Sequence, residues 1–316
     1  MSERLPLVLD VDTGTDDALA LAYAVAAPGI ELVAVTTVAG NVGVEKTTAN
    51  TLSVLDWLGA DEVPVHRGAS RPLVRPHQDA SYFHDENGLG GAQLPISTRS
   101  IGEDRGPAAL IRLARHRPGE LTLVALGPLT NLAIALNVEP ALPELLKAVV
   151  VMGGAYTVAG NTTLAAEFNI LVDPEAADQV FTAPFPNLTA VGLDVTEQVA
   201  LTRDDWNGVN NTSSLPRSAH LLREVGKSAF SKLSQDQFSL HDPLSVAVAI
   251  DPSLIAVREL SIAVDTVEPK LGRTQIAGPG NVRVATAVDS ERALEDFRRT
   301  IGLPTARNRD MRNDVG

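Results

Sequence analysis

The stretch Leu7-Val8-Leu9-Asp10-Val11-Asp12-Thr13-Gly14-Thr15-Asp16-Asp17-Ala18-Leu19-Ala20 decides how the chain reads. An apolar run meets four carboxylates crowded around one glycine, and a second apolar run of helix formers follows through Ala22. The pattern predicts a strand, a tight loop and a helix, with the acids at the carboxyl end of the strand. Open α/β sheets place their ligands there. Acids this close repel one another and raise one another's pKa. A multivalent cation relieves that repulsion, and hard oxygen ligands suit Ca²⁺ or Mg²⁺.

Simpler roles account for only part of this cluster. Asp10 as a turn cap, or Asp16 and Asp17 in a helix first turn, would each be favourable. Four acids between Asp10 and Asp17 exceed what capping needs. An EF-hand loop fails on spacing: counted from Asp10, the twelfth position is Leu21, where a bidentate Glu belongs.

Outward from this stretch, apolar runs alternate with amphipathic ones. Strands are predicted at 5–9, 30–38, 63–66, 121–126, 149–152, 188–193, 259–264 and 282–288. Helices are predicted at 16–27, 44–58, 107–116, 132–136, from Pro174 onward, at 244–250 and at 290–301. This alternation predicts an α/β fold, with a mostly parallel central sheet and helices on both faces. Residues 68–102 form a long irregular segment with glycines after His84, read as a flap. Residues 204–238 are read as a mostly helical polar lid. Residues 1–302 form one domain in this reading, and 303–316 a loose polar tail.

The 316 residues carry a net charge of −13, with no Lys or Arg from Ala148 through Thr202. That balance argues against nucleic acid or an anionic membrane as partner. No Cys is present, which removes disulfides and thiol chemistry. No secretory core or membrane-spanning run stands out, so a cytoplasmic location is expected.

Six short motifs follow in order: Asp10-x-Asp12-x-Gly14-x-Asp16-Asp17, Ala39-Gly40-Asn41, Gly127-Pro128-Leu129-Thr130-Asn131, Met152-Gly153-Gly154, Asn161 with Ala166-Glu167-Phe168-Asn169, and His241-Asp242-Pro243. Together they resemble the nucleoside hydrolases, the inosine–uridine-preferring nucleoside N-ribohydrolases, from Leu5 to about Gly302. The resemblance implies Ca²⁺-dependent hydrolysis of the ribonucleoside N-glycosidic bond by a metal-activated water. It assigns Asp12, Asp17, Asp242 and the backbone carbonyl of Thr130 to Ca²⁺, and Asp10 to a supporting position behind them. Asp12 would also be the general base. Asp16, Asn41 and Asn169 would hold the ribose 2′- and 3′-hydroxyls, and Asn161 and Glu167 the 5′-hydroxyl side. Met152 and Phe168 would pack on the sugar. His241, as leaving-group acid, and His84 would lie near the base. A homodimer or homotetramer is also implied.

Thr13 stands where the family often has Pro, and Asp85 where Gly is common. The late-helix tyrosine of some members has no counterpart, since the chain's tyrosines are Tyr23, Tyr82 and Tyr156. The chemistry asks for such residues independently. Cleaving a ribosyl C–N bond builds positive charge on the sugar, which an acidic site stabilises. Two rivals follow from the same motifs. A haloacid-dehalogenase-like Mg²⁺ phosphohydrolase would share Asp10-Val11-Asp12-Thr13 but needs a phosphate-binding cation. A nucleoside-binding protein would keep the ion without turnover.

Overall fold

A computed structural model describes residues 4–78, 85–210, 214–233 and 235–303. Nine strands form one sheet: β1 (Leu5–Val11), β2 (Ile30–Thr37), β3 (Val65–Arg67), β4 (Thr122–Ala125), β5 (Ala148–Met152), β6 (Leu188–Val191), β9 (Ile255–Val264), β10 (Thr274–Pro279) and β11 (Val282–Val288). Its order is β10-β9-β11-β6-β5-β4-β1-β2-β3. The run from β3 to β11 is parallel, and β9 and β10 add an antiparallel edge. The expected mostly parallel α/β architecture is therefore present.

Successive residues of a strand face opposite sides of a sheet. In β1, Leu7, Leu9 and Val11 enter one apolar core and Val8 the other, so both faces are covered. Helices Thr15–Ala26, Val44–Leu58, His241–Ile250 and Ser290–Ile301 pack on the first face. Helices Gly106–His116, Thr130–Val138 and Pro174–Thr182 pack on the second. The chain leaves β1 toward β2 and β3, then crosses back to β4 on the other side. That reversal opens a crevice at the carboxyl end of β1.

Several boundaries differ from expectation. β1 continues to Val11, which places Asp10 inside the sheet. The edge strand β10 was not foreseen: its sequence, Thr274–Pro279, ends in Gly and Pro and lacks an apolar alternation. The expected polar lid divides into helices Arg203–Asn210 and Arg217–Lys227, a π-helical turn Ser228–Lys232 and a strand, β8 (Gln237–Ser239). β8 pairs antiparallel with β7 (Ala200–Thr202), so the segment ends as a two-stranded ribbon rather than a helix. Of the expected tail, Leu303 is buried and the remainder lies outside the described residues. Among the described residues no helix is long and apolar enough to cross a membrane.

The ribbon and its helices are tied to the closing helix by the hydrogen bond of Ser218 Oγ to the Ile301 carbonyl at 2.8 Å and by an ion pair whose acid is buried. Arg298 donates to Asp205 Oδ2 at 2.6 Å, and Asp205 also accepts from the Thr202 amide and hydroxyl at 2.9 Å each. Removing Asp205 leaves a half-buried guanidinium without its counter-charge and the Thr202 donors without their acceptor. Asp205→Ala should lower unfolding free energy by about 3–5 kcal/mol in urea denaturation. Arg292→Ala, which breaks the exposed pair with Asp251, should cost about 1 kcal/mol or less.

Candidate active site

The parallel strands end together around Asp12. Its Oδ2 accepts from the Asn41 amide at 2.7 Å. A Cβ on Gly40 would stand 2.1 Å from Asp12 Oδ2, and one on Gly127 would stand 2.8 Å from Oδ1. The turns after β2 and β4 thus need glycine because their backbones lie against this carboxylate. Asp17 closes the acidic turn on itself, accepting from the amides of Gly14 (2.8 Å) and Asp12 (3.2 Å) and from Asn41 Nδ2 (3.3 Å). Asp242, in the first turn of helix His241–Ile250, arrives from the far part of the chain.

Asp16, Asp17 and Asp242 each offer a carboxylate oxygen within 4.8 Å of the others. Burial, then the neighbouring carboxylates, pushes Asp242 well above the usual range, and burial with the Asp17 charge does the same to Asp12. Burial and Asp16 raise Asp17 to about 8. Asp16 Oδ1 is buried with no hydrogen-bond partner. An all-oxygen ring of acids with an orphaned oxygen fits a hard divalent cation, which would favour the ionised forms of Asp17 and Asp242.

Asp10 does not reach this ring. Its carboxylate accepts from Thr36 Oγ1 and, at 2.7 Å, from Asn131 Nδ2. Asn131 in turn donates to the Thr37 carbonyl (3.0 Å) and accepts from the Ala69 amide (2.8 Å). Asp10, raised by burial to about 6, therefore joins the turns that frame the site.

Above the acids lies a cleft of about 320 Å³, within the size range of small-molecule sites. Asp12, Asp16, Asn41 and Asp242 line its floor. Met152, Asn161, Glu167, Phe168 and Asn169 line one wall. Asn169 Nδ2 donates to the Leu126 carbonyl at 2.7 Å. Glu167 caps helix Phe168–Val172, accepting from the amides of Asn169 (2.8 Å), Ile170 (3.1 Å) and Gly154 (3.1 Å). Asn161 Oδ1 accepts from the Phe168 amide at 3.0 Å. His241 lines the other wall, with Nδ1 2.8 Å from Thr196 Oγ1 and its pKa lowered by burial. No Lys or Arg lines the cleft among the described residues.

One expected position falls elsewhere. Thr130 does not line the cleft: it is buried at the start of helix Thr130–Val138, and its hydroxyl donates to Asp173 at 2.6 Å. The residue of this strand end that lines the cleft is Leu126, four positions earlier, whose carbonyl meets Asn169. A motif read through its polar side chains passes over a leucine that acts through its backbone. His84 lies outside the described residues. Sequence reasoning also missed Gln235, Gln237, Phe238 and Ser239, which line the cleft beside His241. Their signal was a polar-aromatic run directly before His241-Asp242-Pro243, obscured by the helical reading of that segment.

The profile of the inosine-uridine preferring nucleoside hydrolases matches residues 7–295. The inosine-uridine preferring nucleoside hydrolase of Leishmania major is 37% identical over 262 residues, 82% of this chain and 83% of that protein. The non-specific ribonucleoside hydrolase RihC of Escherichia fergusonii is 38% identical over 293 residues, 90% and 94% of the two chains. Among solved structures, the purine-preferring ribonucleoside hydrolase from Gardnerella vaginalis superposes with a TM-score of 0.86 at 34% identity, covering 94% of this chain and 98% of that one. With the match running through every strand and turn that builds the cleft, the chain belongs to the inosine-uridine preferring nucleoside hydrolase family.

Proposed function

We propose that the chain hydrolyses the N-glycosidic bond of ribonucleosides to free base and ribose, with Ca²⁺ held by Asp12, Asp17 and Asp242. The observation that carries this reading is the acidic cluster in which Asp16, Asp17 and Asp242 meet beside the buried Asp12, beneath a cleft with no Lys or Arg among the described residues. Such a cleft suits a neutral nucleoside whose sugar becomes cationic in the transition state. The Leu126 carbonyl, rather than that of Thr130, is the backbone oxygen assigned to the ion. When bound, the ion supplies Lewis acidity that lowers the pKa of water at the ring.

The chain's own residues do the rest. Asp12 takes the proton of the attacking water. Asp16, with its unpartnered oxygen, accepts from a ribose hydroxyl, together with Asn41 and Asn169. Asn161 and Glu167 hold the 5′-hydroxyl side, while Met152 and Phe168 cover the sugar. His241 protonates the departing base through Nε2, the ring nitrogen that Thr196 leaves free. His84 is kept as a base-side contact. Gln235 and Gln237 offer amides that can both donate to and accept from a base edge.

A nucleoside panel assayed for free base, with and without a Ca²⁺ chelator, tests the function. Turnover should be lost with chelation and restored by Ca²⁺. Phosphate release from sugar phosphates, or tight nucleoside binding without product, contradicts it. Asp12→Asn should lower kcat by about 10²–10⁴-fold, the usual weight of a general base. His241→Ala should slow natural nucleosides far more than a riboside with an activated leaving group, and equal slowing of both would remove its acid role. Uridine should be hydrolysed much faster than 2′-deoxyuridine, because Asp16 and Asn169 then lose a partner; comparable rates would refute that placement.

A further inference from the structure

A second groove, of about 570 Å³, lies at the amino-terminal ends of the parallel strands, opposite the acidic cleft. Leu5 of β1, Thr122 of β4, Ala148 of β5, Thr189 of β6 and Arg283 of β11 border it. Strand register sets them side by side: Thr122 is level with Ala148, and Thr189 is level with both Val150 and Arg283. Neighbouring strands lie about 4.8 Å apart, so these side chains share one face of the sheet. The carboxyl end of helix His241–Ile250, with Val248 and Ile250, forms an apolar wall.

The groove is rich in donors that the described residues leave unused. Arg4, Lys147 and Arg283 line it, and among the described residues their side chains make no ion pair or hydrogen bond. Glu259, the cross-strand neighbour of Arg283 on β9, forms no salt bridge with it. Thr122 and Thr189 are 3% and 7% exposed, and their hydroxyls are likewise unengaged. The one acid lining the groove, Glu120, is paired with Arg117.

Arg4 and Lys147 alone would be solvated surface cations. Arg283 and the two threonines, set under a helix, are not explained that way, least of all in a chain of net charge −13. The carbonyl end of the helix opposes an anion. It is partly satisfied by the Asp251 amide on the Ala247 carbonyl at 2.8 Å, and the full charges of Arg283 and Lys147 outweigh it.

We propose that this groove binds a small organic phosphate. Arg283 and Lys147 hold the dianion, the hydroxyl of Thr189 beside Arg283 donates to its oxygens, and Val150, Val248 and Ile250 receive its apolar part. A phosphate offers more acceptor oxygens and more charge than a carboxylate, and so matches this donor set better. This site is independent of the nucleoside cleft and of the reaction assigned to it.

Isothermal titration calorimetry with phenyl phosphate tests the proposal, because that probe has an apolar ring and no diol for the catalytic cleft. Saturable binding is expected, weakened at least about tenfold in Arg283→Gln and, separately, in Lys147→Gln. Asp16→Asn should bind it unchanged, and Arg283→Gln should hydrolyse nucleosides at the wild-type rate. Absence of saturable binding overturns the proposal. So does binding that both cation variants retain, binding lost in Asp16→Asn, or benzoate binding as tightly as phenyl phosphate.

Discussion

Carboxylates that repel one another are held out of water at the end of a single strand, and the rest of the structure accommodates them. An unpaired buried carboxylate costs several kcal/mol, a large share of the roughly 5–15 kcal/mol by which a domain is stable. Asp12 and Asp17 offset part of that cost through amide donors from Asn41, Gly14 and Asp12 itself. Asp16 and Asp242 are not offset in this way, and Asp16 Oδ1 has no donor at all. The uncompensated part is what gives the site its affinity for positive charge, both in a divalent ion and in a sugar that becomes cationic as its bond to the base breaks.

The topology explains how such a cluster can be assembled. Each parallel strand from β2 to β6 turns at the same end of the sheet, and β1 lies at the point where the connections reverse. Gly40 and Gly127 let two of those turns press against Asp12. Asp10 and Asn131 fix the same turns from beneath, inside the sheet. Helix His241–Ile250 then brings Asp242 and His241 into the crevice while its far end walls the second groove. At about 1.5 Å per residue, this one rigid element runs on one face from the carboxyl ends of the strands toward their amino ends.

Much of this was legible in the chain because it rests on periodicity and on polar residues at strand ends. Asp12, Asp17 and Asp242 stand out as acids where apolar runs stop, and Asn41 and Asn161 as amides directly after glycines, with Asn169 following in the Glu167-Phe168-Asn169 run. Elements whose stability comes from tertiary context were harder to read. β7 and β8 are three residues each, too short to carry an alternation, and their pairing depends on contacts far apart in sequence. The turn after β4 shows a related limit: the Thr130 hydroxyl turns to Asp173, and the backbone oxygen that meets Asn169 at the cleft is that of Leu126, which no side chain advertises. The roles of Gly40 and Gly127 are also invisible until the approach of Asp12 is known.

The account depends on acids from opposite ends of the chain meeting at one ion. Calorimetric titration of Ca²⁺ into metal-free protein measures this directly, without reference to turnover. One site per chain is predicted, weakened by at least about 100-fold in Asp242→Asn, since a lost carboxylate ligand costs more than the tenfold to hundredfold typical of an outer partner. Undiminished binding in that variant, or no binding by the wild type, would contradict it.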